Sequence, residues 1–182
     1  MYCTYPRIRL TFELLCMHSK KPFQMYLKSF EVRWSDLDAN RHLGNTAYIN
    51  FMSHTRMAYF YENGFSQEIL AAHDLGPVIF YEHVYYLREI PPDAGVRVSL
   101  EVKGMSEDGM FFEFHHNFYD QKGKHLAHCE MMGGWIDLKT RKLTSLDETL
   151  LANFRALERA GDFRILTRED TRRYAIPRKD LV

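Results

Sequence analysis

Three polar side chains that could support acid–base or nucleophilic chemistry alternate along one short segment of the sequence. Asp38, Asn40 and His42 are each separated by one residue, so in an extended loop their side chains would point to the same side. They offer a carboxylate, an amide and an imidazole, which can act as a base or nucleophile, an orienting group and a donor. The alternative is plain turn chemistry, because a segment rich in Asp and Asn is typical of turns and helix caps.

A long helix is predicted directly after this segment. Asn45 or Thr46 can cap a helix that continues to about Asn63, and Gly64 is a typical stop signal. The helix is apolar on nearly every side, so we expect protein to enclose it. Its first turn presents free N–H groups and the positive end of the helix dipole. These groups suit attack on a carbonyl carbon, because the attack places negative charge on the carbonyl oxygen.

The amino-acid sequence of this region resembles the active loop of hot-dog-fold thioesterases. WSDLDANRHLGNTAYINF is similar to the pattern D-x-D-x-N-x-H-x-x-N-x-x-Y of acyl-CoA thioesterases, including those similar to 4-hydroxybenzoyl-CoA thioesterase, and of plant acyl-ACP thioesterases. The matching positions are Asp36, Asp38, Asn40, His42, Asn45 and Tyr48.

The resemblance implies roles for individual residues. Asp38 would be the general base or nucleophile, and Asn40 and His42 would be catalytic partners that orient water and substrate. Substrate contacts would come from the first turn of the helix, whose N-terminus forms the oxyanion site. The residues implied there are Asn45, Thr46 and Tyr48.

Two features depart from the family pattern. Gly44 stands where these enzymes usually have Asn, which would either loosen the start of the helix or admit a bulkier acyl group. The segment Tyr86–Ile90 resembles a plant Arg-Glu-Cys segment that carries a further functional Glu, but Ile90 replaces the Cys. Glu89 is therefore a candidate catalytic residue, the alternative being an ion pair at a strand end, which contributes little.

The remaining segments predict an α+β fold. The resemblance implies a single hot-dog domain in which an antiparallel sheet of about five strands wraps around the helix 46–63. Asp108-Gly109 and Gln121–Lys124 indicate hairpin turns, Gly133-Gly134 indicates a bulge, and Ser145-x-x-Glu148 indicates a capping box. The predicted strands are Met25–Trp34, Val78–Ile90, Val96–Lys103, Met110–Tyr119 and His125–Leu138. We expect residues 1–24 to be an extension or a mis-assigned start, 25–160 the domain, and 161–182 an irregular charged tail.

Composition excludes several other classes of function. The formal net charge is zero, from 24 basic and 24 acidic side chains, which does not favour a nucleic-acid partner. No apolar run reaches the length of a membrane span. Cys3, Cys16 and Cys129 are scattered, which suggests a reducing compartment, and we expect a cytoplasmic protein. The nine histidines show no three-ligand pattern, so we expect no metal, and hydrolysis needs no cofactor.

The resemblance implies an acyl-CoA thioesterase that works as a homodimer or homotetramer with active sites at the subunit boundary. Two alternatives stay open from the sequence. One is an acyl-ACP thioesterase, which is favoured by the similarity of the loop sequence to that of the plant enzymes. The other is a non-catalytic hot-dog module that binds acyl-CoA, because a fold does not determine a function.

Overall fold

Six strands and one long helix make up about half of the described chain, residues 25–181, in the computed structural model of the protein. The strands are β1 (Tyr26–Glu31), β2 (Leu75–Tyr86), β3 (Gly95–Ser106), β4 (Phe111–Tyr119), β5 (His125–Asp137) and β6 (Arg159–Leu166). The helices are α1 (Asn45–Glu62), α2 (Gln67–Ala72) and α3 (Glu148–Arg155). The extension 1–24, with Cys3 and Cys16, lies outside the described residues.

The sheet has the order β1-β3-β4-β5-β2, and neighbours along this path are antiparallel. The two predicted hairpin turns are confirmed, one between β3 and β4 and one between β4 and β5. Gly109 and Gly123 have φ of 72° and 84° in these turns, a region that favours glycine. The α+β class and the antiparallel sheet with one long helix are therefore confirmed. β1 and β2 form the two edges of the main path.

One face of α1 packs on the sheet and forms the core with it. Met52 and Phe60 are fully buried, and the ring of Phe60 contacts Phe112, Phe114 and Trp135 from β4 and β5. The expectation that protein encloses α1 is wrong within the single chain, because its opposite face is open. Exposed apolar side chains on that face include Met57 and Tyr61. One sheet covers only one side of a helix, whatever the composition of the other side. No helix within residues 25–181 combines the length and apolar character needed to cross a membrane.

The helix caps differ from those predicted. Gly44, not Asn45 or Thr46, is the N-cap of α1, and a glycine has no side chain with which to cap this end. The predicted stop is confirmed, since Gly64 follows the helix with φ of 86°. The loop before α1 is held by backbone bonds, so the chain turns into the helix without a side-chain cap.

The helix α3 is also capped by a different residue. Asp147 is its N-cap and accepts from the Leu150 N–H at 3.0 Å, so the predicted capping box at Ser145 is wrong. The Ser145 hydroxyl instead donates to Asp108 Oδ2 at 2.8 Å and ties this segment to the β3–β4 turn. The short helix α2 has no counterpart in the sequence prediction.

The predicted bulge lies in the neighbouring strand. Phe80 of β2 is the extra residue, because Ile79 pairs with Gly133 whereas Tyr81 pairs with Met132. Gly133 serves close packing instead, since a Cβ there would lie 2.6 Å from the Phe112 ring. A glycine pair in a strand indicates a close approach of neighbours as well as a bulge, and only the packing distinguishes them.

The chain after α3 is not irregular throughout, which corrects the expectation for residues 161–166. β6 runs parallel to β3 and pairs with its second half. Leu166 is buried there, and the Arg164 guanidinium donates to Glu113 Oε2 at 2.8 Å. Charged side chains of this stretch pair with the sheet. Because there are many of them, the sequence did not show the alternation of apolar and polar residues that predicts a strand.

Candidate active site

A short loop closes on itself between β1 and α1. The Asp38 N–H donates to the His42 carbonyl at 2.8 Å, and the Gly44 N–H donates to the Asp36 carbonyl at 2.8 Å. The Leu43 N–H donates to the Ile90 carbonyl at 2.8 Å, which ties the loop to the chain just after β2. The buried Asp36 carboxylate is held by the Arg33 guanidinium at 3.0 Å. The first Asp of the motif is thus structural, and the loop has a defined shape.

The Asp38 carboxylate is anchored by two backbone groups of its own loop. Its Oδ1 accepts from the Asn40 N–H at 2.8 Å and from the His42 N–H at 3.1 Å. The His42 N–H, and next the Asn40 N–H, lower the pKa of the Asp38 carboxyl below its usual value. The side chain is therefore ionised around neutral pH, and Oδ2 takes no part in the two backbone bonds.

A cleft of about 390 Å³ brings most of the predicted residues together. Five of them line it, and residues 86–90 form its opposite wall. The five are Asp38, His42, Asn45, Tyr48 and Glu89. Two predicted residues do not line the cleft: Asn40 contributes its backbone N–H to Asp38, and Thr46 lies in the first turn of α1. The volume is within the range of small-molecule sites.

The first residue of α1, Asn45, lines this cleft and has a backbone donor that is unused within residues 25–181. Ala47 N–H already donates to the Gly44 carbonyl at 2.9 Å, and Thr46 N–H donates to Asn45 Oδ1 at 2.9 Å. No acceptor within residues 25–181 bonds to the Asn45 N–H. An N–H at the positive end of an eighteen-residue helix can hold an anionic oxygen.

The glycine that departs from the family pattern is not required by the backbone. Gly44 has φ of −70°, and a Cβ there would lie 3.4 Å from the Asp36 carbonyl oxygen and 3.7 Å from Asp38 Cβ. These are ordinary contacts, so the loop would accept a side chain. They also show how closely Asp38 approaches the start of α1.

Tyr48 forms the buried floor of the cleft. Its ring contacts the rings of Tyr86 and Phe118, each with centroids 5.0 Å apart. Burial, followed by the nearby Tyr86 and Asp38, raises the pKa of Tyr48 to about 12. The hydroxyl therefore stays protonated and can donate a hydrogen bond at neutral pH.

Glu89 reaches the loop from the other wall. Its Oε2 lies 3.3 Å from Nε2 of His42, and both side chains have access to solvent. The contact brings the predicted candidate into the site. An exposed pair of this kind adds little to stability.

Sequence reasoning missed Tyr86 and did not single out Arg88, although both line the cleft. Alternation along β2 could have placed Tyr86 on the same face as Glu82 and Val84. Nothing in the sequence indicated that Arg88 would face this cleft, because the direction of residues 87–90 depends on the Leu43–Ile90 bond.

The turn geometry of Asp38 is not unique in the molecule. Asp120, in the turn between β4 and β5, accepts from the N–H groups of Lys122 and Lys124, each at 2.8 Å. Asp38 bonds in the same way to residues two and four positions later. What distinguishes Asp38 is the cleft and the helix start beside it. Across residues 25–181, no three His, Cys, Asp or Glu side chains converge to hold a metal ion.

Comparison with known proteins identifies the family and the fold. The family model described as the thioesterase-like superfamily matches residues 32–154, about two thirds of the chain. No curated protein matches the sequence. Among solved structures, a hypothetical protein from Staphylococcus aureus in complex with CoA is 17% identical, with a TM-score of 0.70 over 86% of this chain and 96% of its own.

Two similar structures are enzymes by their names. A DHNA-CoA thioesterase from Staphylococcus aureus is 17% identical, with a TM-score of 0.66 over 72% of this chain and 89% of its own. A 1,4-dihydroxy-2-naphthoyl-CoA thioesterase from Synechocystis is 14% identical, with a TM-score of 0.65 over 75% of this chain and 100% of its own. At these identities the similarity establishes the shared fold.

Proposed function

Because this chain belongs to the thioesterase-like superfamily and is by class a thioester hydrolase, we propose that it converts an acyl-CoA to a free acid and CoA. The main support for the proposal is that one cleft is lined both by Asp38, whose carboxylate is ionised, and by Asn45, whose N–H has no acceptor within residues 25–181. A carboxylate beside a preorganised donor is the arrangement that acyl transfer to water requires.

The reaction follows from this placement. The thioester oxygen accepts from the Asn45 N–H, and charge develops there as the carbonyl carbon is attacked. Asp38 either removes a proton from the attacking water or attacks the carbon itself and forms an anhydride that water then opens. The C–S bond breaks, and the CoA thiolate takes up a proton. Asn40 and His42 orient water and substrate, and Glu89 orients His42 through its 3.3 Å contact.

The CoA part of the substrate would extend out of the cleft past Arg88. CoA carries several phosphate charges, and a guanidinium is well suited to bind them. Arg88 is exposed and lines the cleft opposite the loop. The Staphylococcus aureus structure of the same fold contains CoA, which supports this class of ligand.

The proposal also includes a homodimer in which two copies of the chain pair through β2. β2 is an edge of the main path with twelve residues, and such an edge is a template for pairing with another chain. Large apolar side chains are exposed along it and just beyond its end: Ile79, Phe80, Tyr85, Tyr86 and Leu87. A second copy paired there would border the cleft, because the strand ends at Tyr86 and residues 86–90 line the cleft. A tetramer, a cytoplasmic location and a role in lipid metabolism stay predictions.

The decisive experiment compares two aspartate variants with matched turn geometry. Thiol release from dodecanoyl-CoA is followed for the parent, Asp38→Asn and Asp120→Asn. Asn keeps an oxygen that can accept the backbone N–H groups, so Asp38→Asn should stay folded but lose about a hundredfold or more in kcat. Asp120→Asn should match the parent.

The same assay tests the alternatives. Dodecanoyl groups on CoA and on acyl carrier protein are compared, and faster release from the carrier protein would select the acyl-ACP enzyme. Thermal stabilisation by acyl-CoA without thiol release would select the non-catalytic module. Equal activity of Asp38→Asn and the parent would contradict the proposed role of Asp38.

A further inference from the structure

Two hollows lie along α1, the cleft at its start and an apolar pocket nearer its other end. α1 and β2 run in opposite directions beside each other: Tyr48 contacts Tyr86 near the cleft, and Arg56 bonds to Glu82 further along. Beyond that pair lies a pocket of about 170 Å³. Met57 and Phe60 of α1 and Ile79 of β2 are among the residues that line it.

The polar groups of the pocket wall are already paired with each other. Arg56 and Ser53 are the two polar residues that line it. The Arg56 guanidinium donates to Glu82 Oε1 at 2.8 Å and to Ser53 Oγ at 3.0 Å. In the described part of the chain, Trp135 Nε1 is the one buried side-chain polar atom that lacks a partner, and Trp135 does not line this pocket. The pocket therefore suits a hydrocarbon better than a hydroxylated or ionic group.

The distance from the thioester site to the pocket indicates how long an acyl chain must be to reach the pocket. The helix advances about 1.5 Å per residue, so Ser53 lies about 12 Å and Phe60 about 22 Å along the axis from Asn45. An extended alkyl chain advances about 1.3 Å per carbon, given a C–C bond of about 1.5 Å, so about nine carbons reach Ser53 and about seventeen reach Phe60. An aromatic acyl group of one or two rings is too short to reach either residue.

The volume agrees with this length. An apolar cavity of about 150 Å³ accepts benzene, a molecule of six carbons. A pocket of about 170 Å³ can thus hold roughly the last six carbons of a chain. A straight chain of about twelve to fourteen carbons would begin at Asn45 and end inside the pocket.

We infer that the substrate is an unsubstituted aliphatic acyl-CoA of about twelve to fourteen carbons, whose methyl end lies in the pocket between α1 and β2. The inference rests on the proposed acyl-CoA hydrolysis. The Arg56–Glu82 pair lets the chain pass a charged residue because the charge is neutralised within the pair.

The test measures kcat/KM for butyryl-, octanoyl-, dodecanoyl-, hexadecanoyl- and benzoyl-CoA. The parent should prefer dodecanoyl-CoA over butyryl- and benzoyl-CoA by about tenfold or more, since each buried methylene adds to binding. Met57→Trp fills the pocket and should lower kcat/KM for dodecanoyl-CoA about tenfold while leaving octanoyl-CoA nearly unchanged. Met57→Ala should extend the preference towards hexadecanoyl-CoA.

Tyr61→Trp is the matched control, because Tyr61 is exposed on the same helix and does not line the pocket. This variant should keep the chain-length profile of the parent. A parent preference for butyryl- or benzoyl-CoA would overturn the inference, as would an equal loss on all substrates in Met57→Trp. A loss of kcat/KM on all substrates in Met57→Trp that accompanies a change in oligomeric state would overturn it too. In that case a second copy of the chain, and not the acyl group, would occupy the pocket. All three results leave acyl-CoA hydrolysis intact, whereas no hydrolysis of any acyl-CoA would contradict the proposed function itself.

Discussion

The carboxylate of Glu89 lies against the imidazole of His42, with 3.3 Å between Oε2 and Nε2, although 47 positions separate them in the chain. The bond from the Leu43 N–H to the Ile90 carbonyl creates this proximity, since it joins the neighbours of both residues. A carboxylate at one nitrogen of an imidazole favours the tautomer that carries a proton there and holds the ring in place.

Glu89→Gln should therefore lower kcat about tenfold, less than Asp38→Asn, with little change in KM. Gln keeps the length of the side chain but removes the charge that orients His42. Steady-state kinetics on dodecanoyl-CoA measure the effect, and Glu31→Gln on the exposed surface of β1 is the control. A kcat equal to that of the parent would show that the contact is structural only.

Because the Arg56–Glu82 pair is buried, breaking it should lower the free energy of unfolding more than breaking an exposed ion pair. The two side chains are 6% and 15% exposed, so Arg56→Met leaves the Glu82 charge without its partner in a poorly hydrated place. We expect a loss of about 3–5 kcal/mol in the free energy of unfolding, measured by urea denaturation. Arg56→Met combined with Glu82→Leu should recover most of it.

The exposed pair Lys139–Asp74 is the control, with side chains 74% and 39% exposed. Lys139→Met should change the free energy of unfolding by less than about 1 kcal/mol. Equal effects of Lys139→Met and Arg56→Met would contradict a buried role for Arg56.

His116 predicts how stability depends on pH. Its Nδ1 bonds to the Ser99 carbonyl at 2.7 Å and its Nε2 faces Arg56 Nη1 at 3.4 Å. Burial, followed by the Arg56 charge, lowers the pKa of His116 to about 3. The unfolded chain takes up a proton below pH of about 6.5 and the folded chain does not, so stability falls as pH decreases from about 6.5 towards 3.

At pH 5 the free energy of unfolding should be about 2 kcal/mol lower than at neutral pH, because it falls by about 1.4 kcal/mol for each pH unit below about 6.5. His116→Gln should remove that part of the pH dependence in urea denaturation at pH 7.5 and 5. His54→Gln, at an exposed position of α1, should keep it. If both variants lose the same stability between the two pH values as the parent, His116 does not stay neutral.

The edge of β2 predicts the oligomeric state. Phe80→Lys places a charge on this edge and should convert a dimer to a monomer in sedimentation velocity, because a charged side chain on an edge strand opposes pairing. Leu27→Lys on β1, the opposite edge, is the control, since Leu27 is 42% exposed and Phe80 is 36% exposed. A monomeric parent, or a dimer lost only in Leu27→Lys, would contradict pairing through β2.

Local patterns were sufficient for much of the fold. The spacing of apolar residues predicted α1 and five of the strands, and the glycines of the hairpins predicted both turns. These features depend on residues that are neighbours in the chain, so periodicity and turn residues contain the necessary information. The loop motif likewise indicated Asp38 and His42, because the cleft uses a contiguous segment on that side.

Other features depended on which distant segments come into contact. In β6, Arg164 of the charged stretch pairs with Glu113 of β4, and the extra residue of β2 is Phe80, whereas Gly133 packs against Phe112. Neither partner can be identified from sequence spacing.

The sequence by itself determined the loop, the helix that follows it and the alternation of the sheet, since each arises from residues close together in the chain. Only the tertiary structure decided that Glu89 meets His42, that no acceptor within residues 25–181 bonds to the Asn45 N–H, and that an apolar pocket lies between α1 and β2. The physical reason is that contacts, cavities and unsatisfied donors depend on the positions of several segments at once.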